Sequence, residues 1–157
     1  SAVAAAATLA PGRIVVVLGA SSVKLRLALA CRPHETIRVQ NRDWKEGIAS
    51  SLRVGLAALP RSARAALILL ADQPRIGARA LVRLARARRE RPGHAVASVY
   101  GGGIGVPAIL PRRLWRSAAR LTGDVGARRL LAAERVVRVA LPEAELDIDT
   151  VDDLGKL

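Results

Sequence analysis

An unbroken apolar run, Ala65-Ala66-Leu67-Ile68-Leu69-Leu70-Ala71, stops abruptly on Asp72-Gln73-Pro74. The run is too short for a helix of ordinary length and carries no charge on either face. It reads as a strand buried on both sides, as in a parallel sheet covered by helices. Pro74 has no N–H to give to a ladder, so the strand ends before it. In open α/β sheets, ligands bind beyond the carboxyl ends of the strands. Asp72 stands at such an end, where a carboxylate can hold a hard cation and, through it, phosphates. An aspartate there can equally cap the next helix or form a turn.

The rest of the chain repeats the alternation. Ile14–Leu18, Thr36–Gln40, Ala95–Tyr100 and Val136–Ala140 read as further strands. Helical composition occupies 2–10, 22–30, 48–59, 77–91 and 127–134, and Pro111 is placed to open another helix reaching Leu121. Asn41–Gly47 reads as a loop. In the 48–59 helix, Leu52, Leu56 and Leu59 form one stripe, and Gly55 on that face permits close approach to a sheet. In the 77–91 helix, Ala78, Leu81, Val82 and Ala85 are expected inside, with Arg79, Arg83, Arg86 and Arg89 in solvent. Strands alternating with helices predict a single α/β domain over 1–157, a three-layer sandwich with a mainly parallel sheet.

Composition narrows the function classes. The 157 residues carry a net charge of +13, with 23 arginines against 3 lysines. Those arginines scatter along helix faces, and Trp44, Tyr100 and Trp115 lie far apart, so the stacking platform of a nucleic-acid binder is missing. The same field favours an anionic small substrate. Cys31 is the only cysteine, which leaves no disulfide framework and fits a reducing cytoplasm. No apolar run approaches the roughly 18 residues of a membrane span. The alanine-rich start lacks the basic leader of a signal peptide.

Four of the thirteen acidic residues crowd into Asp147–Asp153. Asp147 and Asp149 are two apart and share one side of an extended segment. Together with Asp72 they could supply oxygen ligands to Mg2+, which binds through one or two carboxylates plus phosphates. Asp149-Thr150 could instead cap a final helix. Gly101–Gly105 allows a ligand to approach the backbone, or simply forms a hairpin. Gly123-Asp124-Val125-Gly126-Ala127-Arg128 places N–H groups and a cation at a helix start, an anion-binding arrangement. His34, His94 and Cys31 read as structural.

Four blocks occur in a telling order: Asn41-Arg42-Asp43-Trp44-Lys45-Glu46-Gly47-Ile48-Ala49-Ser50-Ser51-Leu52, Leu69-Leu70-Ala71-Asp72-Gln73-Pro74, Gly123–Arg128, and Asp147-Ile148-Asp149-Thr150-Val151-Asp152-Asp153-Leu154. Together they resemble the molybdenum cofactor nucleotidyltransferases, in particular the cytidylyltransferase branch. The resemblance implies a Rossmann-like fold of the nucleotide-diphospho-sugar transferase type. It implies attack of a molybdopterin phosphate on the α-phosphorus of CTP, or another NTP, with release of pyrophosphate. Asp72 and Asp149 would be the catalytic Mg2+ ligands, with Asp147 nearby. Gly47, Ser50 and Ser51, with Asp72, would contact the nucleotide. Gly105, Gly123, Asp124 and Arg128 would face the acceptor. A molybdoenzyme or its chaperone would be the receiving partner.

The chain departs from the pattern at Val106, where the family has histidine, and at Val125, commonly lysine. The strand and glycine-rich loop with which the family begins are also missing from it. The expectation is therefore of roughly 30–40 further residues upstream, about one strand–loop–helix unit. Two other readings share these features: a sugar- or alcohol-phosphate nucleotidyltransferase of the same fold, and a non-catalytic homologue that binds nucleotide or cofactor.

Overall fold

The computed structural model describes residues 2–11, 13–20, 36–73 and 75–145. Elements follow in the order α1 (Ala2–Ala7), β1 (Ile14–Leu18), β2 (Thr36–Gln40), α2 (Ile48–Ala57), β3 (Ala65–Ile68), α3 (Ala78–Glu90), β4 (Ala95–Tyr100), β5 (Gly103–Pro111), α4 (Trp115–Ala118), α5 (Gly126–Ala132) and β6 (Val136–Ala140). The expected helix at 22–30, together with Cys31, His34 and the acidic tail from 146, lies outside the described residues.

The strands form a two-stranded sheet, β1-β2, and a four-stranded sheet in the order β3-β5-β4-β6. β1 and β2 run parallel, as do β4 and β6, while β5 is antiparallel to both β3 and β4. In the larger sheet β3, β4 and β6 thus share one direction, and β5 alone runs against them.

Alternation along the strands builds two cores. On one face Leu67, Val96 and Ile109 pack with Leu81 and Leu84 of α3 and Ala5 of α1. On the other, Ala66, Ala95, Ala97, Ala108 and Leu110 pack with Leu52 and Leu56 of α2, Ala118 of α4 and Leu130 and Leu131 of α5. This is the three-layer α/β sandwich. Gly55 presses on β1: a Cβ there would lie 3.1 Å from Val17 Cγ2. No helix among the described residues is long and apolar enough to cross a membrane.

Several expectations need correction. The apolar run becomes a strand only over Ala65–Ile68, and only Ala66 is buried. The reason is position: β3 is an edge of its sheet, paired with β5 alone among the described strands. Pro111 does not begin a helix. It ends β5, where its missing N–H costs nothing at the strand terminus, and a short 3-10 turn over Arg112–Leu114 precedes the single turn of α4. In α3 the inner face is Ala80, Leu81, Leu84 and Ala87, while Val82 is 48% exposed. The Asn41–Gly47 loop contains a 3-10 turn, Trp44–Glu46.

The glycine run resolves as a hairpin. Gly101 and Gly102 both have positive φ, +52° and +73°, as a tight two-residue turn between Tyr100 and Gly103 requires. Past the turn the register shifts: Ser98 faces Gly105 but Ala97 faces Ala108. Val106 and Pro107 are thus extra residues on β5, a bulge of the kind that re-aims backbone groups.

Candidate active site

The bulge leaves carbonyl oxygens that the ladder does not use, and side chains collect them. Ser98 Oγ donates to Pro107 O. Tyr100 Oη donates to Val106 O at 2.9 Å, and Gln73 Nε2 donates to the same oxygen at 3.2 Å. The Tyr100 ring lies across Gly105, where a Cβ would come within 2.8 Å of Cζ. Gly105 is consequently buried beneath Tyr100 instead of lying open on the rim.

Gln73 extends this cluster. It is 2% exposed, and Nε2 also donates to Ala144 O at 2.9 Å, with a longer bond to Tyr100 Oη at 3.4 Å. Asp72, immediately before it, is half-buried, and its Oδ1 is shut off from solvent. The segment after β3 is therefore tied to the end of β4, to the β5 bulge and to the turn at Pro142–Ala144. That turn leads towards Asp147 and Asp149, both outside the described residues.

A second cluster surrounds Asn41, which follows β2. Its backbone N–H donates to Leu18 O at 2.8 Å, locking it to the end of β1. Its Nδ2 donates to Ser50 Oγ at 2.8 Å and Ser51 Oγ at 3.0 Å, and its Oδ1 accepts from the Asp43 N–H at 3.0 Å. Ser50 Oγ in turn donates to Gly47 O at 2.8 Å. Asn41 and Ser50 are both buried, so the asparagine fixes the first turn of α2 from behind, and Ser51 is the more accessible hydroxyl.

The two clusters are joined through the loop before α5. Gly47 has φ +94°, and a Cβ on it would lie 2.5 Å from Asp124 Oδ1 and 2.5 Å from the carbonyl carbon of Gly123. Arg53 Nη1 donates to Leu121 O at 2.6 Å while its Nη2 pairs with Glu46 at 2.8 Å. Further along, the Arg128 guanidinium lies over Gly103, where a Cβ would be 2.5 Å from Nη2. Gly47, Gly123, Asp124, Arg128 and the β4–β5 hairpin thus form a continuous rim, and Gln73 carries it on to Asp72.

Of the residues expected from sequence, Gly47, Ser50 and Ser51 sit together with Gly123 and Asp124 against them, while Arg128 lies over Gly103 of the hairpin. Asn41 and Gln73 were not anticipated. Both fall inside the blocks that carry the resemblance, where Asn41 directly follows β2 and Gln73 follows Asp72 in the segment after β3.

A three-layer sandwich with its polar loops gathered beyond the strands β2, β3 and β4 is the architecture of nucleotide-handling α/β enzymes. Residues 1–139 match the MobA-like NTP transferase domain, and the chain belongs to that family of nucleotidyltransferases. Among solved structures it is similar to Rv0371c from Mycobacterium tuberculosis H37Rv, at 26% identity and a TM-score of 0.78, over 98% of this chain and 79% of that one. A manganese complex of Rv0371c matches at 26% identity and a TM-score of 0.76, over 98% and 81%. The 4-diphosphocytidyl-2C-methyl-D-erythritol synthase of Anaerococcus prevotii DSM 20548 shares the fold, at 15% identity and a TM-score of 0.72, over 92% and 79%. No functionally curated protein matches the chain.

Proposed function

We propose that this nucleotidyltransferase passes CMP from CTP to the phosphate of a molybdopterin-type acceptor and releases pyrophosphate. The observation that carries the reading is the rim itself: the Gly47–Ser51 turn is pressed against Gly123-Asp124, and the Asp72 segment is bonded to the turn that leads to Asp147. Those are the blocks on which the resemblance rests.

Ser51 and the backbone around Gly47 would meet the nucleotide, with Asn41 holding both in place. Arg128 and Asp124 would face the acceptor, the arginine offering a fixed fork to its phosphate. The divalent cation fits the donor set: Asp72, Asp147 and Asp149 are oxygen donors, and Asp72 Oδ1 is already withdrawn from water. Among the described residues no three His, Cys, Asp or Glu side chains converge, so the proposed site draws on the acidic tail. Bound there, Mg2+ would neutralise phosphate charge and orient the triphosphate for in-line displacement.

In the same reading, a strand with a glycine-rich loop would lie between β1 and β3, each of which is paired on one side only among the described strands, and would grip the triphosphate. The cytoplasm, with its molybdoenzymes and their chaperones, is the compartment the reading requires.

The test is pyrophosphate release by the full-length protein with molybdopterin and CTP, GTP or ATP. Release with CTP is expected, and Asp72→Ala should abolish it while leaving the circular dichroism unchanged. Release only with a sugar or alcohol phosphate moves the protein to another branch of the fold. Nucleotide binding without release to any acceptor identifies a non-catalytic homologue.

A further inference from the structure

We propose that the end of the larger sheet opposite the candidate site is a docking surface for a protein segment rich in aspartate and glutamate. Arginines that are spread along the sequence gather there in the fold. Arg64 immediately precedes β3, Arg112 and Arg113 follow β5, and Arg135 immediately precedes β6. Arg61 lies in the loop into β3 and Arg91 in the loop into β4. All six are exposed. With the strands in the order β3-β5-β4-β6 and about 4.8 Å apart, the loops that carry them span roughly 14 Å. β4 is six residues long, and at about 3.3 Å per residue roughly 20 Å separates this end from the loops of the candidate site.

The surface is preformed. Arg112 N–H donates to Arg64 O at 2.9 Å, and its Nη1 donates to Ala63 O at 3.1 Å. Arg113 Nε donates to Gly93 O at 3.2 Å, and the His94 N–H closes the same turn on Arg91 O at 3.3 Å. Segments 60–64, 91–94, 111–116 and 133–135 contain one acidic residue, Glu134, and Arg113 already engages it at 2.8 Å. Arg61, Arg64, Arg91 and Arg135 have no ion-pair or hydrogen-bond partner for their side chains among the described residues. Guanidinium groups left unneutralised on one ordered face repel one another, and a partner bearing carboxylates removes that repulsion. The Arg113–Glu134 pair shows the chemistry that the other arginines can repeat.

Nucleic acid fits the same face poorly. Trp115, the aromatic residue of these segments, is half-buried, and the Arg112 guanidinium lies over its ring at 4.6 Å, which leaves little ring for a base to stack on. The segments are loops and short turns, whereas a groove is entered by a helix or a two-stranded ribbon. A protein segment held at this end leaves the candidate site open to its substrates.

The test is fluorescence anisotropy of a labelled poly-L-glutamate peptide with the full-length protein at about 0.1 M salt, where charges beyond about 10 Å are screened. Arg64→Glu/Arg135→Glu reverses two charges on the face. Arg79→Glu/Arg138→Glu reverses two exposed charges elsewhere, on α3 and β6, and lowers the net charge equally. The first pair is expected to weaken peptide binding by about 10-fold or more, and the second by less than about 2-fold. Circular dichroism checks folding. If the first pair does not fold, Arg61→Glu/Arg91→Glu, at loop positions away from the strands, carries the same expectation.

Equal weakening by the two pairs overturns the inference, because net charge alone would then hold the peptide. A wild-type protein that does not bind the peptide overturns it as well. Tighter binding of a duplex DNA, lost in the Arg64→Glu/Arg135→Glu variant, would overturn it by giving the face to nucleic acid.

Discussion

Gly47→Ala tests how tightly the two rims of the site are pressed together. Gly47 has φ +94° and ψ −178°, a region that only glycine enters freely. Forcing a side chain into such a conformation costs about 1–3 kcal/mol. The new methyl would also sit 2.5 Å from the Gly123 carbonyl carbon and 2.6 Å from its oxygen, so backbone must move. Overpacking of that kind costs about 1–3 kcal/mol more. The expected loss is therefore roughly 4 kcal/mol, which at about 2 kcal/mol per molar urea shifts the unfolding midpoint down by about 2 M.

Gly102→Ala supplies the comparison. Gly102 also has a positive φ, +73°, but nothing lies within 4 Å of its would-be Cβ. It should lose only the conformational term, about 1–2 kcal/mol. Equal losses in the two variants would mean that Gly47 and Gly123 are not in contact. Losses under about 0.5 kcal/mol in both, the range of ordinary surface changes, would refute the backbone conformations themselves. Calorimetry adds a functional arm: CTP affinity should fall in Gly47→Ala and stay unchanged in Gly102→Ala.

Asn41→Ala removes three side-chain hydrogen bonds and leaves buried Ser50 short of a donor, so chemical denaturation should show a loss of about 2–4 kcal/mol. Leu81→Ala empties a fully buried position between α3 and the sheet and should cost about 2–5 kcal/mol by the same measurement. Arg128→Ala, at an exposed guanidinium, should change stability by less than about 0.5 kcal/mol. The same substitution should weaken acceptor binding in an isothermal titration, and unaltered binding would remove Arg128 from the acceptor side.

Much of the fold is legible in the residues because burial has a period. β1, β2, β4 and β6 were each foreseen where they occur, since a short apolar or alternating run bounded by turn residues has few other uses. β5 was not. Gly103, Gly105 and Pro107 are turn-formers locally, and only the hairpin partner β4 and the side chains of Ser98, Tyr100 and Gln73 make that stretch a strand. The extent of β3 was misjudged for a related reason: hydrophobicity says that a strand belongs inside a sheet, but not whether a neighbour is present on each side. Val82 shows the same limit in a helix: the buried stripe runs through Ala80, Leu81, Leu84 and Ala87, and Val82 lies beyond its edge despite being apolar.

In the sequence the candidate site is legible where a residue type announces a chemistry it could perform, as at Asp72 or Arg128. It was not legible at Gln73 or Asn41, whose importance lies in groups far away in sequence. Gln73 meets Ala144 across 71 positions. No local pattern encodes such a meeting.

The division of the strands into β1-β2 and β3-β5-β4-β6 has a further consequence for how ligand binding is read out. A two-stranded ribbon has little stability of its own, whereas the larger sheet is buried on both faces. Asn41 ties the end of the ribbon to Ser50 and Ser51, and α2, which carries both serines, packs through Leu52 and Leu56 on the larger sheet. Local opening of the ribbon will be the cheaper excursion, and its amides will exchange hydrogen sooner than those of β4 and β5. A ligand that holds Ser51 also steadies Asn41 behind it and with it the end of the ribbon, so its measured affinity includes the free energy of suppressing that opening. Two molecules with equal contacts elsewhere can then differ in affinity, according to whether they reach Ser51.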